Sequence, residues 1–518
     1  MLEQESSKPK IKLSRTKNAV RNIYSGMFNK IFTIFFPFLI RTVLIKKIGI
    51  EYAGLNSLFS SILQVLNLTE LGFASAVVYS MYKPIAENDK ETICALLNFY
   101  KRVYFIIGLV ILAIGIMLMP FLPHLIKGNV PQDINIYLLY SIYLLNTSLS
   151  YLLFGYKNSL LNAHQRRDVI SNILTITQGL MNICQIVILL TIKSYYLYVI
   201  MMPIFTILNN VLIGIITKRM FPEYSCRGKL DISIQKDIRK KVAGLMISKL
   251  AQTSRNSFDS IFISSFIGLS MTAVYSNYML VFTSLTGIVN IITNSMQAGI
   301  GNFIQTESKE NNYELLKKLA LLYALMIGWC TTCMLCIYQP FIATWLGESF
   351  KLPFIIVIMI CVYFYLLVSN QGCSLFYHGC GMWWNGKYLA ATEALVNIIG
   401  NYIFVKKLGL HGIVLATIIS TLIGSGWLIS IIFKLFFTNK KIIKFYLFEL
   451  FLAFISFLLC SFTFLINKVI ATKDNFISAF LVTGFSATLL FFSAYILISK
   501  PLHLQVPLKI FRHKKHNK

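Results

Sequence analysis

Apolar residues recur in long runs broken by short polar stretches along almost the whole chain. Runs of about 20 residues or more are long enough to cross a bilayer as helices. The pattern predicts spans near 20-44, 54-80, 102-122, 135-156, 169-192, 195-217, 242-266, 272-303, 319-343, 353-379, 388-405, 410-433, 445-467 and 476-499, fourteen in all. The first run, GMFNKIFTIFFPFLIRTVLI from Gly26 to Ile45, is too long for the core of a secretory signal and keeps polar residues through its middle. It is expected to stay as the first span.

The polar residues inside these runs fall at helical spacing. On a wheel, Asn22, Gly26, Asn29, Lys30, Thr33, Pro37 and Arg41 share an arc of about 120°, opposite Phe28, Phe32, Phe35, Phe36 and Leu39. The second span groups Asn56, Ser60, Gln64, Asn67 and Glu70. The fifth groups Ser171, Thr175, Gln178, Asn182 and Gln185. Ser248, Gln252, Arg255 and Asp259 form a stripe on the seventh, and Asn290, Asn294 and Gln297 one on the eighth. Arg255 and Asp259 are spaced for an ion pair along the helix. Uncharged polar residues also join membrane helices without any transport role. Five stripes in one chain are more than that role needs. Pro37 and Pro203 each remove a backbone hydrogen bond and predict a kink.

Composition agrees with the membrane reading: mean hydropathy is +0.67, 56% of residues are hydrophobic and 13% are charged. The net charge of +28 is placed by topology. With the N-terminus inside, the two tails and the inside loops hold several times as many Lys and Arg as the outside loops, so the positive-inside rule puts both termini in the cytoplasm. The basic tails, Lys8 to Arg21 and Lys509 to Lys518, read as solvated charge beside lipid headgroups rather than a nucleic-acid surface.

The chain divides into a basic tail (1-19), a first lobe of six spans (20-217), a basic inside loop (218-241), a second lobe of six spans (242-433), two further spans (434-499) and a second basic tail (500-518). IGIEYAGLNS at 48-57 aligns without a gap on IGLSMTAVYS at 267-276, and KKLGLHG at 406-412 joins the eleventh and twelfth spans as KKIGIEYAG joins the first two. Repeated lobes with a site at their interface are the usual architecture of secondary transporters. The fold class is therefore all-α and polytopic: two pseudo-symmetric six-helix lobes around a central cavity, plus two C-terminal helices.

A cation at the bilayer centre costs roughly 2.5–3.5 kcal/mol at least, so Lys30, Lys249 and Arg255 are expected to face protein or a water-filled cavity. Arg41 is near enough to a helix end to snorkel as an alternative. Counting these four against Glu70, Asp259 and Glu393 leaves a positive excess, which suits an anionic passenger such as a phosphate or carboxylate. Asn22, Asn67, Gln178, Gln252 and Asn294 supply candidate hydrogen-bonding walls, and Glu70 and Asp259 are the candidate carriers of a coupling ion. Glu393 lies near the inner end of its span, where partial solvation makes an acid cheap. No catalytic residue and no cofactor is expected. The triplet Cys330, Cys333 and Cys336 mimics a metal spacing but has no fourth ligand near it in sequence, so free thiols used for packing are the better reading, and no metal site is expected.

IGIEYAGLNSLFSSILQVLNLTELGFASAVVYSMYKPIA (48-86), YYLYVI before the sixth span, YQPFIATWLG (338-347) and GMWWNGKYLAATEALVNIIGNYIFVKKLGLHGIVLATIIST (381-421) resemble the bacterial polysaccharide-unit flippases, which serve O-antigen, capsule and related polymers. These belong to the multidrug/oligosaccharidyl-lipid/polysaccharide exporter superfamily. The resemblance covers nearly the whole chain. It implies a fourteen-helix protein of the bacterial cytoplasmic membrane that turns undecaprenyl-pyrophosphate-linked oligosaccharide from the inner to the outer leaflet, driven by a proton or sodium gradient. The diphosphate would enter the cationic cavity while the polyprenyl tail stays in lipid. A polymerase and glycosyltransferases of the same pathway are the implied partners, and a two-lobed transporter can act as a monomer. A flippase for the peptidoglycan lipid precursor is the nearest rival. A drug exporter of the superfamily would have twelve helices and handle cations. A membrane polysaccharide polymerase or ligase would carry a large outside loop with catalytic residues, and the sequence has no such loop.

Overall fold

The computed structural model describes residues 15–67, 73–128, 130–380, 386–437, 441–471 and 475–500. Every regular element among them is a helix. In chain order these are α1 (Arg15–Lys47), α2 (Ile50–Leu66), α3 (Phe73–Ala86), α4 (Lys90–Leu118), α5 (Ile136–Leu152), α6 (Asn158–Ala163), α7 (Arg167–Thr191), α8 (Tyr195–Met220) and α9 (Ile232–Phe266). There follow α10 (Leu269–Thr306), α11 (Lys309–Trp345), α12 (Phe354–Ser369), α13 (Gln371–Gly379), α14 (Lys387–Leu408), α15 (Leu410–Leu435), α16 (Ile442–Ile470) and α17 (Phe476–Ser499).

Eleven of the described helices are long and apolar enough to cross a membrane, or twelve when α5 is joined to α6 across a 48° bend. The other two expected spans fall on α2 with α3 and on α9, which are not among these helices. α2 is short at 17 residues, and α9 is diluted by Lys249, Arg255 and Asp259. The protein is a multi-pass membrane protein. Helix starts follow capping chemistry: the Asn135 side chain accepts from the amides of Tyr137 and Leu138, and Ser194, Ser308 and Asn475 cap α8, α11 and α17 in the same way.

α2 ends at Leu66 with Asn67 as its C-cap, and α3 begins at Phe73, with 68–72 outside the described residues. Two expected spans differ in form. The fourth bends beyond Leu152, and the tenth is interrupted between Ser369 and Gln371. The loop expected at 218-241 is shorter, because α8 runs to Met220 and α9 begins at Ile232. Charged residues leave the bilayer but remain good helix formers. α1 and α8 continue through Pro37 and Pro203.

The chain forms two compact units, Met1–Lys249 with Gly268–Ala273, and Leu250–Ile267 with Val274–Lys518. In the first, α1 packs on α7, α7 on α8, α8 on α5 and α5 on α4. In the second, α14 packs along α15, and α11 holds α12, α13, α16 and α17 around it. The aligned glycines Gly49 and Gly268 share one backbone conformation, φ +138° and +133°, that side-chain-bearing residues rarely adopt. Both stand immediately before a helix.

Candidate functional site

The second unit buries a carboxylate among amides and hydroxyls. α9 carries Asp259, which is 2% exposed. α14 presents Asn397 and Asn401, one turn apart and both fully buried. α15 contributes Thr417. These helices approach closely because Gly400 lies against Ala416, and Gly412 against the carbonyl of Phe404, where a Cβ would come within 2.3 Å of the oxygen. Asn401 Nδ2 donates to Asp259 Oδ1 at 2.8 Å, and the Tyr275 hydroxyl donates to Oδ2 at 3.2 Å. The Thr417 hydroxyl lies 3.0 Å from Oδ2 and 3.1 Å from the Ile413 carbonyl, so its one proton serves one of them at a time. Asn397 Nδ2 donates to Thr417 Oγ1 at 3.1 Å.

Two features set this cluster apart from a saturated polar core. Among the described residues no Lys or Arg pairs with Asp259, the expected pair with Arg255 lying outside them, and Asn401 Oδ1 is buried with no hydrogen-bond partner among them. A buried charge needs a counter-charge and a buried acceptor needs a donor. The Asp259 carboxylate, the amide oxygens of Asn397 and Asn401, Thr417 Oγ1 and the Ile413 carbonyl form an oxygen-rich nest. Hard cations take oxygen ligands of this kind, and a proton on the carboxyl would cancel the same charge. Tyr275, Asn397, Asn401 and Thr417 were outside the sequence stripes, although the i, i+4 spacing of Asn397 and Asn401 is visible in VNIIGNY.

In the first unit the opening stripe separates into different roles. Asn22 accepts from the Asp168 amide at 2.7 Å and donates to the Gln165 carbonyl at 3.1 Å, while Asn29 donates to Thr175 at 2.8 Å. Asp168 is also held by Arg21 at 2.7 Å and Arg166 at 3.0 Å. These bonds fasten α1 to α7. Arg41 does not snorkel. It is 9% exposed and donates to the Ala53 carbonyl at 3.0 Å, the Ser57 hydroxyl at 3.2 Å and the Ala273 carbonyl at 3.2 Å. It thereby ties α1 and α2 to the start of α10. Beside it Gly54 meets Leu269, where a Cβ would come within 2.2 Å of the Leu269 carbonyl oxygen.

Lys30 is half-buried on α1 and forms no ion pair among the described residues. Asn67 accepts from the Tyr151 hydroxyl at 3.3 Å, and Gln185 donates to the Tyr198 carbonyl at 3.0 Å. Gln178 is half-buried on α7, and Asn294 is exposed on α10. Glu70 lies outside the described residues, as do the side chains of Lys249, Gln252 and Arg255. Glu393 is 6% exposed and lies against Gly424, one turn from Asn397. α16 adds Glu449, an acid that the count of four cations against three carboxylates omitted, so the positive excess in number disappears. Cys330, Cys333 and Cys336 are free thiols on α11.

The sequence matches no protein-family model and no curated protein. Among solved structures, the lipid II flippase MurJ in an inward closed conformation is similar with a TM-score of 0.63 at 17% identity, over 93% of this chain and 100% of that one. An inward-facing multidrug resistance transporter of the MATE family has a TM-score of 0.59 at 16% identity, over 81% of this chain and 99% of that one. A transporter from Pyrococcus furiosus, described as having a binding pocket of reversed polarity, has a TM-score of 0.52 at 16% identity, over 82% and 99%. All three are transporters or flippases. This chain has the fold of the multidrug/oligosaccharidyl-lipid/polysaccharide (MOP) superfamily of membrane transporters.

Proposed function

We propose that the protein is an ion-coupled flippase that carries undecaprenyl-pyrophosphate-linked oligosaccharide units from the inner to the outer leaflet of the bacterial cytoplasmic membrane by alternating access, with both termini in the cytoplasm. The observation that carries the reading is the extent of the fold. The match to a lipid flippase takes in 93% of the chain, whereas the match to a drug transporter takes in 81%. The difference is about the combined length of α16 and α17. Long polyprenyl substrates give such additional apolar helices a use.

Asp259 is the residue proposed to bind the coupling ion, with Asn397, Asn401 and Thr417 around it. A gradient-driven cycle needs a group whose charge is cancelled in one state and exposed in another, and the buried Asp259 carboxyl is proposed for that role. Lys30, Lys249 and Arg255 are proposed to meet the substrate diphosphate.

The same likeness favours a second reading, in which the passenger is the peptidoglycan lipid precursor, since MurJ is a lipid II flippase. A strain lacking the gene separates the two. Loss of surface polymer with normal growth, restored by wild type but not by Lys30→Ala or Asp259→Asn at equal membrane levels, supports the first. Lysis with accumulation of the peptidoglycan precursor supports the second. Full polymer display from both variants overturns the proposed roles of these residues.

A further inference from the structure

We infer that the first unit carries a binding site for the headgroup of an anionic phospholipid, at the end of the helices where the 221–231 loop lies. The positive-inside reading makes this the inner leaflet. The inference is independent of what the protein transports.

The site is a cavity of about 380 Å³ lined by Asn98, Lys101, Arg102, Phe105, Tyr151 and Tyr156 among others. The four α4 residues stand at i, i+3, i+4 and i+7, so one face of that helix presents them together. Lys101 and Arg102 are exposed, and the next turns of α4 expose Phe105 (52%), Ile106 (58%), Leu109 and Val110. The two cations therefore sit where the lipid-facing apolar band of α4 begins, the depth of the headgroups. Tyr151 and Tyr156 form a buried floor, and Tyr104 meets Tyr151 edge-on, 5.4 Å between centroids. Asn98 is fixed by its bond to the Gly228 carbonyl at 2.9 Å.

Further positive charge is fixed beside the cavity. Lys157 donates to the Gly214 carbonyl at 3.0 Å, and its ammonium lies 5.1 Å from the centre of the Phe154 ring. Phe154 has φ +28°, an unfavourable conformation for a residue with a side chain. Lys101 and Lys218 are near enough to Lys157 for their charges to act on it. Three separate elements thus bring four cations together, and among the described residues none of the four is in an ion pair. Clustered like charges repel, and a bound anion offsets that repulsion. Arg with Lys suits a phosphate, and the adjoining Phe105 and Ile106 suit acyl chains. A phospholipid meets both requirements, whereas free phosphate meets only the first.

The test uses the full chain in detergent with phosphatidylglycerol, phosphatidylcholine of the same acyl chains, or inorganic phosphate as the probe, and reads retained lipid by native mass spectrometry. Wild type should retain phosphatidylglycerol over phosphatidylcholine, and the Lys101→Gln/Arg102→Gln double variant should lose about fivefold or more of that preference. Lys46→Gln/Lys47→Gln, at the other end of α1, should keep it. Equal retention of both lipids by wild type overturns the inference without reference to any variant. So does an unchanged preference in the double variant, or displacement of phosphatidylglycerol by equimolar inorganic phosphate.

Discussion

Replacing Asp259 perturbs the nest in a way whose size follows from its hydrogen bonds. Asp259→Ala strands the buried Tyr275 hydroxyl and leaves Asn401 Nδ2 only its long 3.5 Å bond to Asn397 Oδ1, while Thr417 retains the Ile413 carbonyl at 3.1 Å. An unsatisfied buried polar group costs about 1–3 kcal/mol, so the loss should be about 2–6 kcal/mol. Asp259→Asn keeps one acceptor oxygen and should cost less, yet it removes the charge that a coupling ion would neutralise. Binding adds a second signature. A cation at about 100 times its dissociation constant stabilises the protein holding it by about 2.7 kcal/mol. The assay is the melting midpoint of purified protein against sodium concentration, with potassium as control, and against pH. Wild type should gain stability from sodium, or respond to pH if the ion is a proton. Asp259→Asn should lose that response, and Thr417→Val should lose the sodium response. A wild type insensitive to both ions, or an Asp259→Asn protein that responds as wild type does, refutes the reasoning.

Gly54→Ala should lower the melting midpoint and transport together, because its Cβ would stand within 2.2 Å of the Leu269 carbonyl oxygen, a backbone atom that cannot rotate away. Thermal unfolding and the display assay check this, and a variant as stable as wild type would count against the close approach of α2 to residue 269. His164 gives a pH dependence. It is buried between Phe221 and Tyr224, with ring centroids at 4.3 and 5.6 Å, and Nδ1 lies 3.0 Å from the Leu160 carbonyl. Burial lowers its pKa below the ordinary 6.5, against the opposing effects of the Leu160 carbonyl and Glu223. The unfolded chain then takes up the proton more readily. Its contribution to stability is full above 6.5 and is lost as pH falls through the lowered value. Melts across this interval should show the decline in wild type and a flatter profile in His164→Gln.

Spans were legible because a bilayer imposes one simple rule on the chain, that about 20 residues in a row avoid charge. The last predicted span, 476-499, coincides with α17, which begins at Phe476 and ends at Ser499. Helix breaks were not legible. No proline marks the bend beyond Leu152 or the interruption after Ser369, and hydropathy reports depth in lipid rather than continuity of hydrogen bonding. The same limit explains α9, whose first turns lie in the stretch read as loop. The site was legible only at one residue. Asp259 stands out because an acid in a membrane helix is costly, but Asn401 and Thr417 lie 142 and 158 residues away in sequence. Only the close packing of α14 on α15 brings them to it.

The polar stripes looked alike in the sequence, and what separates them is whether their hydrogen bonds are complete. Asn22, Asn29 and Gln185 spend theirs on neighbouring helices, and Arg41 divides its donors among two carbonyls and a hydroxyl. Groups satisfied in this way have nothing left for a passenger unless the bundle first opens. Asp259 and Asn401 differ in that a buried carboxyl without a described counter-charge and an orphan acceptor lie together. Burial of both costs free energy that packing alone gives no reason to incur. A bound cation or proton removes the cost at the carboxylate, and an oxygen-seeking cation removes it at Asn401 as well. If Asp259 binds a coupling ion as proposed, the orphan oxygen favours a metal cation over a proton, and the sodium arm of the melting experiment decides between them.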